Sequence, residues 1–178
     1  FTAELSYQRY VLSDWQYFPV TNGKCNNLSL NLTLSRSSID NPIYPRQGSE
    51  FSLSAQITPP FSLFDGTDYS KYSTSSQEDM NKMHKWIEYH KWTGKIQWYH
   101  QLAKDLVLYT GAQFGYLGYY NPDIGYSPLE GFDVGGSGMS GFNLYGIETI
   151  GLRGYADNSL TPRVQAQGHT VQFATVYD

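Results

Sequence analysis

The chain has 178 residues, and its 16 acidic and 12 basic side chains give a formal charge of -4. This negative charge and the absence of any run of Lys or Arg exclude a basic nucleic-acid surface. Charged residues and aromatic residues each make up 16% of the chain, whereas soluble domains carry about 25% charged residues. The single cysteine, Cys25, excludes an internal disulfide, and the absence of any stretch of about 18 apolar residues excludes a membrane-spanning helix.

Apolar and polar residues alternate with a period of two, most strictly over residues 27–36. Successive side chains of a strand point to opposite faces, so the apolar residues of this segment share one face. We expect that face to contact lipid and the polar face to contact water. The apolar residues are Leu28, Leu30, Leu32 and Leu34, and the polar ones are Ser29, Asn31 and Thr33.

Looser alternation predicts the remaining strands, for about six in all. They lie at residues 2–10, 51–58, 84–102, 106–118 and 170–177. Compact turns are expected at residues 39–50 and 103–105, and long polar connections at residues 12–26, 59–83 and 119–168. A helical turn is expected at residues 75–83, with Ser75 or Ser76 as its cap.

Short turns at one end and long loops at the other are typical of an outer-membrane barrel. A soluble β-sandwich is the alternative, since it also alternates apolar and polar residues. Segment length, Trp and Tyr near the strand ends, and a polar face with few charges favour the barrel. The predicted fold is therefore an all-β, antiparallel transmembrane β-barrel of outer-membrane type with long extracellular loops. Six strands are too few to close it, so we expect residues 1–178 to be the central part of a larger barrel domain.

Two features of the sequence, a glycine pattern and four histidines, do not indicate a ligand or metal site. Residues 136–141 read Gly-Ser-Gly-Met-Ser-Gly, which matches the dinucleotide-binding pattern, but no helical periodicity follows, so a tight turn is the better interpretation. The histidines His84, His90, His100 and His169 are too dispersed to converge on a metal. We expect no catalytic residue, no metal site and no cofactor.

The span from Tyr126 to Tyr155 is rich in glycine and ends in Leu152-Arg153-Gly154-Tyr155. An arginine inside a barrel can pair bidentately with a carboxylate while an aromatic ring packs beside it. The alternative is a solvated arginine in an extracellular loop.

At these residues the chain resembles the BamA family of the bacterial surface antigen superfamily, whose signature loop carries an Arg-Gly-aromatic motif after a Gly-Gly-Ser stretch, here Gly135, Gly136 and Ser137. The resemblance implies a non-enzymatic protein of the bacterial outer membrane that folds and inserts other β-barrels. It also implies N-terminal POTRA domains, which we expect to lie outside residues 1–178. The implied partners are outer-membrane lipid, unfolded outer-membrane proteins and accessory assembly lipoproteins, with no nucleic acid.

By the same resemblance Arg153 is the pairing cation, Gly154 allows close approach, Tyr155 packs its ring, and Gly135 and Gly136 shape the loop base. One departure from the family is the inserted stretch at residues 142–151 between the Gly-Gly-Ser stretch and the motif. Two alternatives remain open. One is a related two-partner secretion or TamA-like translocation pore, and the other is a solute-conducting porin, which should line its lumen with more charged rings.

Overall fold

The computed structural model describes residues 1–14, 20–73, 76–136, 146–152, 154–156 and 159–160, and by backbone alone residues 163–166 and 169–172. Five strands form one antiparallel sheet in chain order: β1 (Thr2–Leu12), β2 (Gly23–Ser37), β3 (Gly48–Ile57), β4 (His90–Ala103) and β5 (Leu106–Gly118). Two smaller sheets follow: the parallel pair β6 (Gly131–Val134) and β7 (Ile147–Ile150), and the antiparallel pair β8 (Arg163–Ala166) and β9 (His169–Gln172).

Three short helices lie in the connection between β3 and β4: α1 (Phe61–Phe64), a 3-10 helix (Tyr69–Lys71) and α2 (Gln77–Met83). The predicted helical turn corresponds to α2, which has Ser76 at its N-cap but without a side-chain capping hydrogen bond. Within the described ranges, no helix has the length and apolar character needed to cross a membrane.

The all-β prediction is confirmed, and the five-stranded sheet is antiparallel as predicted, whereas the β6–β7 pair is parallel. Strand β5 has the predicted bounds. The strand predicted at residues 84–102 is wrong in its first six residues, because β4 begins at His90. Trp86 is in phase with the tryptophans of β4, but it forms an isolated parallel bridge with Asn26 of β2. The N–H of Ile87 donates to the carbonyl of Asn26 at 2.8 Å, so this segment runs beside β2 before the chain turns into β4.

The prediction of a plain loop over residues 119–168 is also wrong, because β6, β7 and β8 lie within it. The strand predicted at residues 170–177 is matched over the described part by β9, and residues 173–178 lie outside the described residues.

The sheet exposes its apolar face and covers part of its polar face. The register sets Leu30 opposite Leu5 of β1 and Ile57 of β3, so apolar residues of neighbouring strands share a face. Leu30 is 40% exposed, whereas Asn27 and Ser29 on the other face of the same strand are buried. A soluble sandwich would bury its leucines, so this arrangement is the reverse of that fold.

Successive connections lie at alternate ends of the sheet. The two-residue turn between β4 and β5 and the ten-residue turn at residues 38–47 lie at one end. The ten-residue connection at residues 13–22, the 32-residue connection at residues 58–89 and the chain after β5 lie at the other. The buried hydrophobic cluster draws on the long-loop end of the sheet and on the loops there. Its members are Leu12, Val20, Cys25, Met80, Ile87, Tyr89, Leu117, Leu129, Phe132 and Ile150.

Candidate functional site

The β6–β7 pair lies against the polar face of β5. Phe132 of β6 is almost completely buried, and a Cβ atom at Gly115 of β5 would lie 2.6 Å from a carbon of its ring. A glycine inside a strand often marks a place where another element approaches closely. Gly115 therefore provides the space in which Phe132 packs on the sheet.

A buried lysine of β4 holds the same segment. Lys91 and Glu130 have side chains that are only 5% and 6% exposed, and Lys91 Nζ lies 3.2 Å from Glu130 Oε2. The ammonium also donates to the carbonyl oxygen of Gly146 at 2.5 Å and lies 3.8 Å from Glu148 Oε2. Its Nζ is 4.9 Å from the centre of the Phe132 ring, within the range of a cation–π contact. One cation of the sheet thus contacts both β6 and the chain that enters β7.

The second oxygen of Glu130 is bound by a tyrosine. The hydroxyl of Tyr89, which is fully buried just before β4, donates to Glu130 Oε1 at 3.0 Å. That hydroxyl accepts from Gln56 Nε2 at 2.6 Å and from Asn27 Nδ2 at 3.3 Å. Side chains of β2 and β3 therefore hold the tyrosine hydroxyl that donates to this carboxylate of the loop.

The protonation of this cluster follows from its burial. Burial raises the pKa of Glu130 to about 7, against the opposing effect of the Lys91 ammonium. Burial also raises the pKa of Tyr89, and the nearby charge of Glu130 adds to that effect, so the phenol remains a neutral donor. Gly146 has φ +74°, and a Cβ atom there would overlap the carboxylate of Glu130. Glycine at position 146 satisfies both the backbone conformation and the close approach.

Backbone hydrogen bonds close the loop base. Gly135 and Gly136 both have positive φ, at +115° and +81°. The N–H of Gly135 donates to the carbonyl of Ile150 at 3.0 Å, and that of Gly136 donates to the carbonyl of Tyr155 at 3.1 Å. The N–H of Leu152 donates in return to the carbonyl of Gly136 at 2.9 Å. The chain on either side of position 153 is thereby held against the two glycines.

The predicted motif is described in part. Leu152 is half-buried in its bridge with Gly136, and Tyr155 is 52% exposed. Gly154 has φ +90°, and no described atom lies within 4 Å of where its Cβ would be, so its backbone conformation is what favours glycine. Arg153 and Ser137 lie outside the described residues, and the roles assigned to the motif stay predictions.

The other motifs of the sequence lead to no ligand site. Of residues 136–141, Gly136 alone is described, and the described continuation at residues 147–150 is a strand rather than a helix. His84 is buried beside α2, and burial lowers its pKa to about 4, which keeps it neutral. Among the residues that the structure describes, no group of three His, Cys, Asp or Glu side chains is placed to hold a metal.

Sequence reasoning did not identify Lys91, Glu130, Tyr89 or Gly146. The signal in the sequence is weak. Lys91 is a lysine on a face with few charges, and Glu130 is the one acidic residue of the stretch at residues 126–132. The two residues are 39 positions apart, so their pairing has no local pattern.

An antiparallel sheet with an exposed apolar face, and a glycine-rich loop docked on its polar face, define a β-protein of the outer-membrane class. The Omp85 superfamily domain matches residues 2–175, and the chain belongs to this superfamily. Its members are bacterial outer-membrane proteins that act in outer-membrane protein assembly or translocation. A comparison with curated proteins found no significant match to the chain.

Proposed function

We propose that residues 1–178 supply barrel wall and signature loop (residues 126–155) to an assembly factor of the BamA type, which folds and inserts other β-barrel proteins into the outer membrane. The carrying observation is the docking of the loop on the polar face through Lys91, Glu130 and Phe132. In a barrel that face is the lumen, while the leucine face meets outer-membrane lipid. Unfolded outer-membrane proteins are the substrates, accessory lipoproteins are partners, and no enzymatic step or cofactor is involved.

The docked base gives the loop a fixed position from which Arg153 can act. The hydrogen bonds of Leu152 and Tyr155 to Gly136 hold the backbone on both sides of the arginine. We assign Arg153 to pairing with a carboxylate of the barrel wall, with Tyr155 packing beside it, because a guanidinium binds a carboxylate through two parallel hydrogen bonds. The docked loop then keeps the barrel wall in one conformation, and the strands of client proteins fold against that fixed wall.

The test uses the full-length protein in lipid vesicles with an unfolded client barrel. Arg153→Ala should lower client insertion while the host barrel stays inserted, because loss of one partner of a shielded pair costs about 3 kcal/mol or less in a wet lumen. Arg153→Lys should rescue in part, since lysine keeps the charge but loses the planar fork. Arg46→Ala, in the exposed turn at residues 38–47, is the matched control.

Unchanged client insertion by Arg153→Ala would refute the role of the arginine. Export of a soluble client without insertion of any barrel would instead assign the chain to the two-partner secretion or TamA-like pores of the same superfamily. Voltage-dependent conductance of small solutes, with neither activity, would assign it to a porin.

A further inference from the structure

We propose that Lys91 is the positioning residue of the barrel wall for the signature loop, a single cation that clamps both arms of the loop at once. The clamp itself rests on the described contacts, and its consequence for client assembly rests on the proposed function. The clamp consists of the contacts of Lys91 with Glu130 and Gly146, which lie on the lumen side of the proposed barrel. It includes neither Arg153 nor Gly135 and Gly136 of the loop base.

The first step is geometric. Glu130 precedes β6, and Gly146 precedes β7, so these residues lie at the two arms of the same excursion of the chain. The parallel register sets Gly131 opposite Ile147, which brings the two arms together where they meet the wall. Lys91 Nζ contacts Glu130 at 3.2 Å on one arm and the carbonyl of Gly146 at 2.5 Å on the other. Removal of this one ammonium therefore takes a buried contact from both arms.

The second step concerns selectivity for lysine. The ammonium is a compact charge with three donors, and here it faces two acceptors and a ring within one buried space. The other oxygen of Glu130 is bound by Tyr89, so the carboxylate cannot move away to make room for a longer side chain at position 91. An arginine at position 91 would place a larger, planar group against Phe132 and Gly146. Lys91→Arg is expected to keep the charge and still displace the loop.

The third step separates a clamp from a merely structural contact. The ammonium at position 91 attracts Glu130 and donates a hydrogen bond to the Gly146 carbonyl, and exchange of the charges at positions 91 and 130 restores only the attraction. Lys91→Glu alone sets two carboxylates together, and Glu130→Lys alone sets two ammonium groups together, both of which destabilise docking. The double variant restores an attractive pair on the same two positions. A purely steric role would make the double variant worse than either single variant.

The experiment measures hydrogen exchange of residues 131–136 and 146–152 in the full-length protein in lipid vesicles, with client insertion followed in parallel. Lys91→Met should raise loop exchange about tenfold or more, because a buried carboxylate loses its partner. Lys95→Met is the matched control, since Lys95 is an exposed lysine on the same face of the same strand. We expect the control to exchange like the wild type. The double variant should recover protection at residues 131–136 and less at residues 146–152, because a carboxylate at position 91 cannot donate to the Gly146 carbonyl.

The clamp would be overturned if the loop exchanged equally fast in Lys91→Met and in Lys95→Met. It would also be overturned if the double variant recovered no protection at residues 131–136. The two proposals fail in different ways. Released loops with unchanged client insertion would support the clamp and count against the assembly role of the loop. Intact loops with lost insertion would count against the clamp alone.

Discussion

Docking of the signature loop is expected to weaken as the pH rises through the range in which Glu130 loses its proton. The docked loop buries this carboxyl group and raises its pKa from 4.5 to about 7. The docked state therefore binds the proton more tightly than a released loop does. Docking is most stable below about pH 4.5, loses stability as the pH rises toward 7, and changes little above that value.

The shift in pKa sets the size of the effect. A difference of this size corresponds to about 3 kcal/mol of docking free energy across the titration. The other ionisable groups at the site, within the described residues, are Lys91, Tyr89 and Glu148. The Lys91 ammonium offsets part of the cost of burying the Glu130 carboxylate. The Lys91–Glu130 pair therefore still holds the loop at neutral pH.

The assay is the protection factor of residues 131–136 between pH 4 and pH 8, which divides out the intrinsic pH dependence of exchange. Protection should fall by up to about two orders of magnitude in the wild type. Glu130→Gln should flatten the profile, because its side chain cannot titrate. Glu148→Gln is the control and should keep the slope of the profile while moving it slightly to lower pH, since the half-exposed Glu148 carboxylate makes only the smallest contribution to the raised pKa of Glu130. A flat wild-type profile, or a sloping one in Glu130→Gln, would refute the reasoning.

Two further predictions concern the two faces of the sheet. Leu32→Arg should destabilise the full-length barrel against urea in vesicles by roughly 2–4 kcal/mol, the value for a charge on a lipid face near the membrane centre, and Thr33→Arg on the other face should have a much smaller effect. Equal losses for the two variants would contradict the assignment of faces. Phe132→Ala should cost the docked loop roughly 3–5 kcal/mol and speed its proteolysis, because it empties a buried site over Gly115. Phe64→Ala, at an exposed ring, should leave proteolysis unchanged.

The strands of the sheet were predictable because their cause is local. Four leucines at every second position define a face within one segment, and the two-residue turn at Lys104 and Asp105 fixes where β5 begins. The start of β4 was not predictable on the same ground. Trp86 continues the alternation of the strand, but its backbone partner is Asn26, and that choice depends on where β3 ends.

The candidate site was predictable only at its glycines. A stretch of glycines indicates a sharp turn, and Gly135 and Gly136 adopt the positive φ that such turns require. The pair of Lys91 and Glu130 depends on how the chain after β5 folds back on the sheet, and β6 and β7 are four residues each. Segments this short carry too little periodicity to predict a parallel pairing across the intervening chain.

Tyr89 lies at the point where the connection at residues 58–89 rejoins the sheet, and it contacts both that connection and the loop docked on the polar face. Its N–H donates to Thr58 Oγ1 at 2.7 Å and its carbonyl accepts from the N–H of Thr58 at 3.1 Å, so the two ends of this long loop are closed against each other. Its hydroxyl donates to Glu130 on the polar face of the sheet. A ligand that binds this long loop and displaces Tyr89 would therefore also displace the Glu130 carboxylate, so binding at one end of the sheet would alter the contacts of the loop docked on its face.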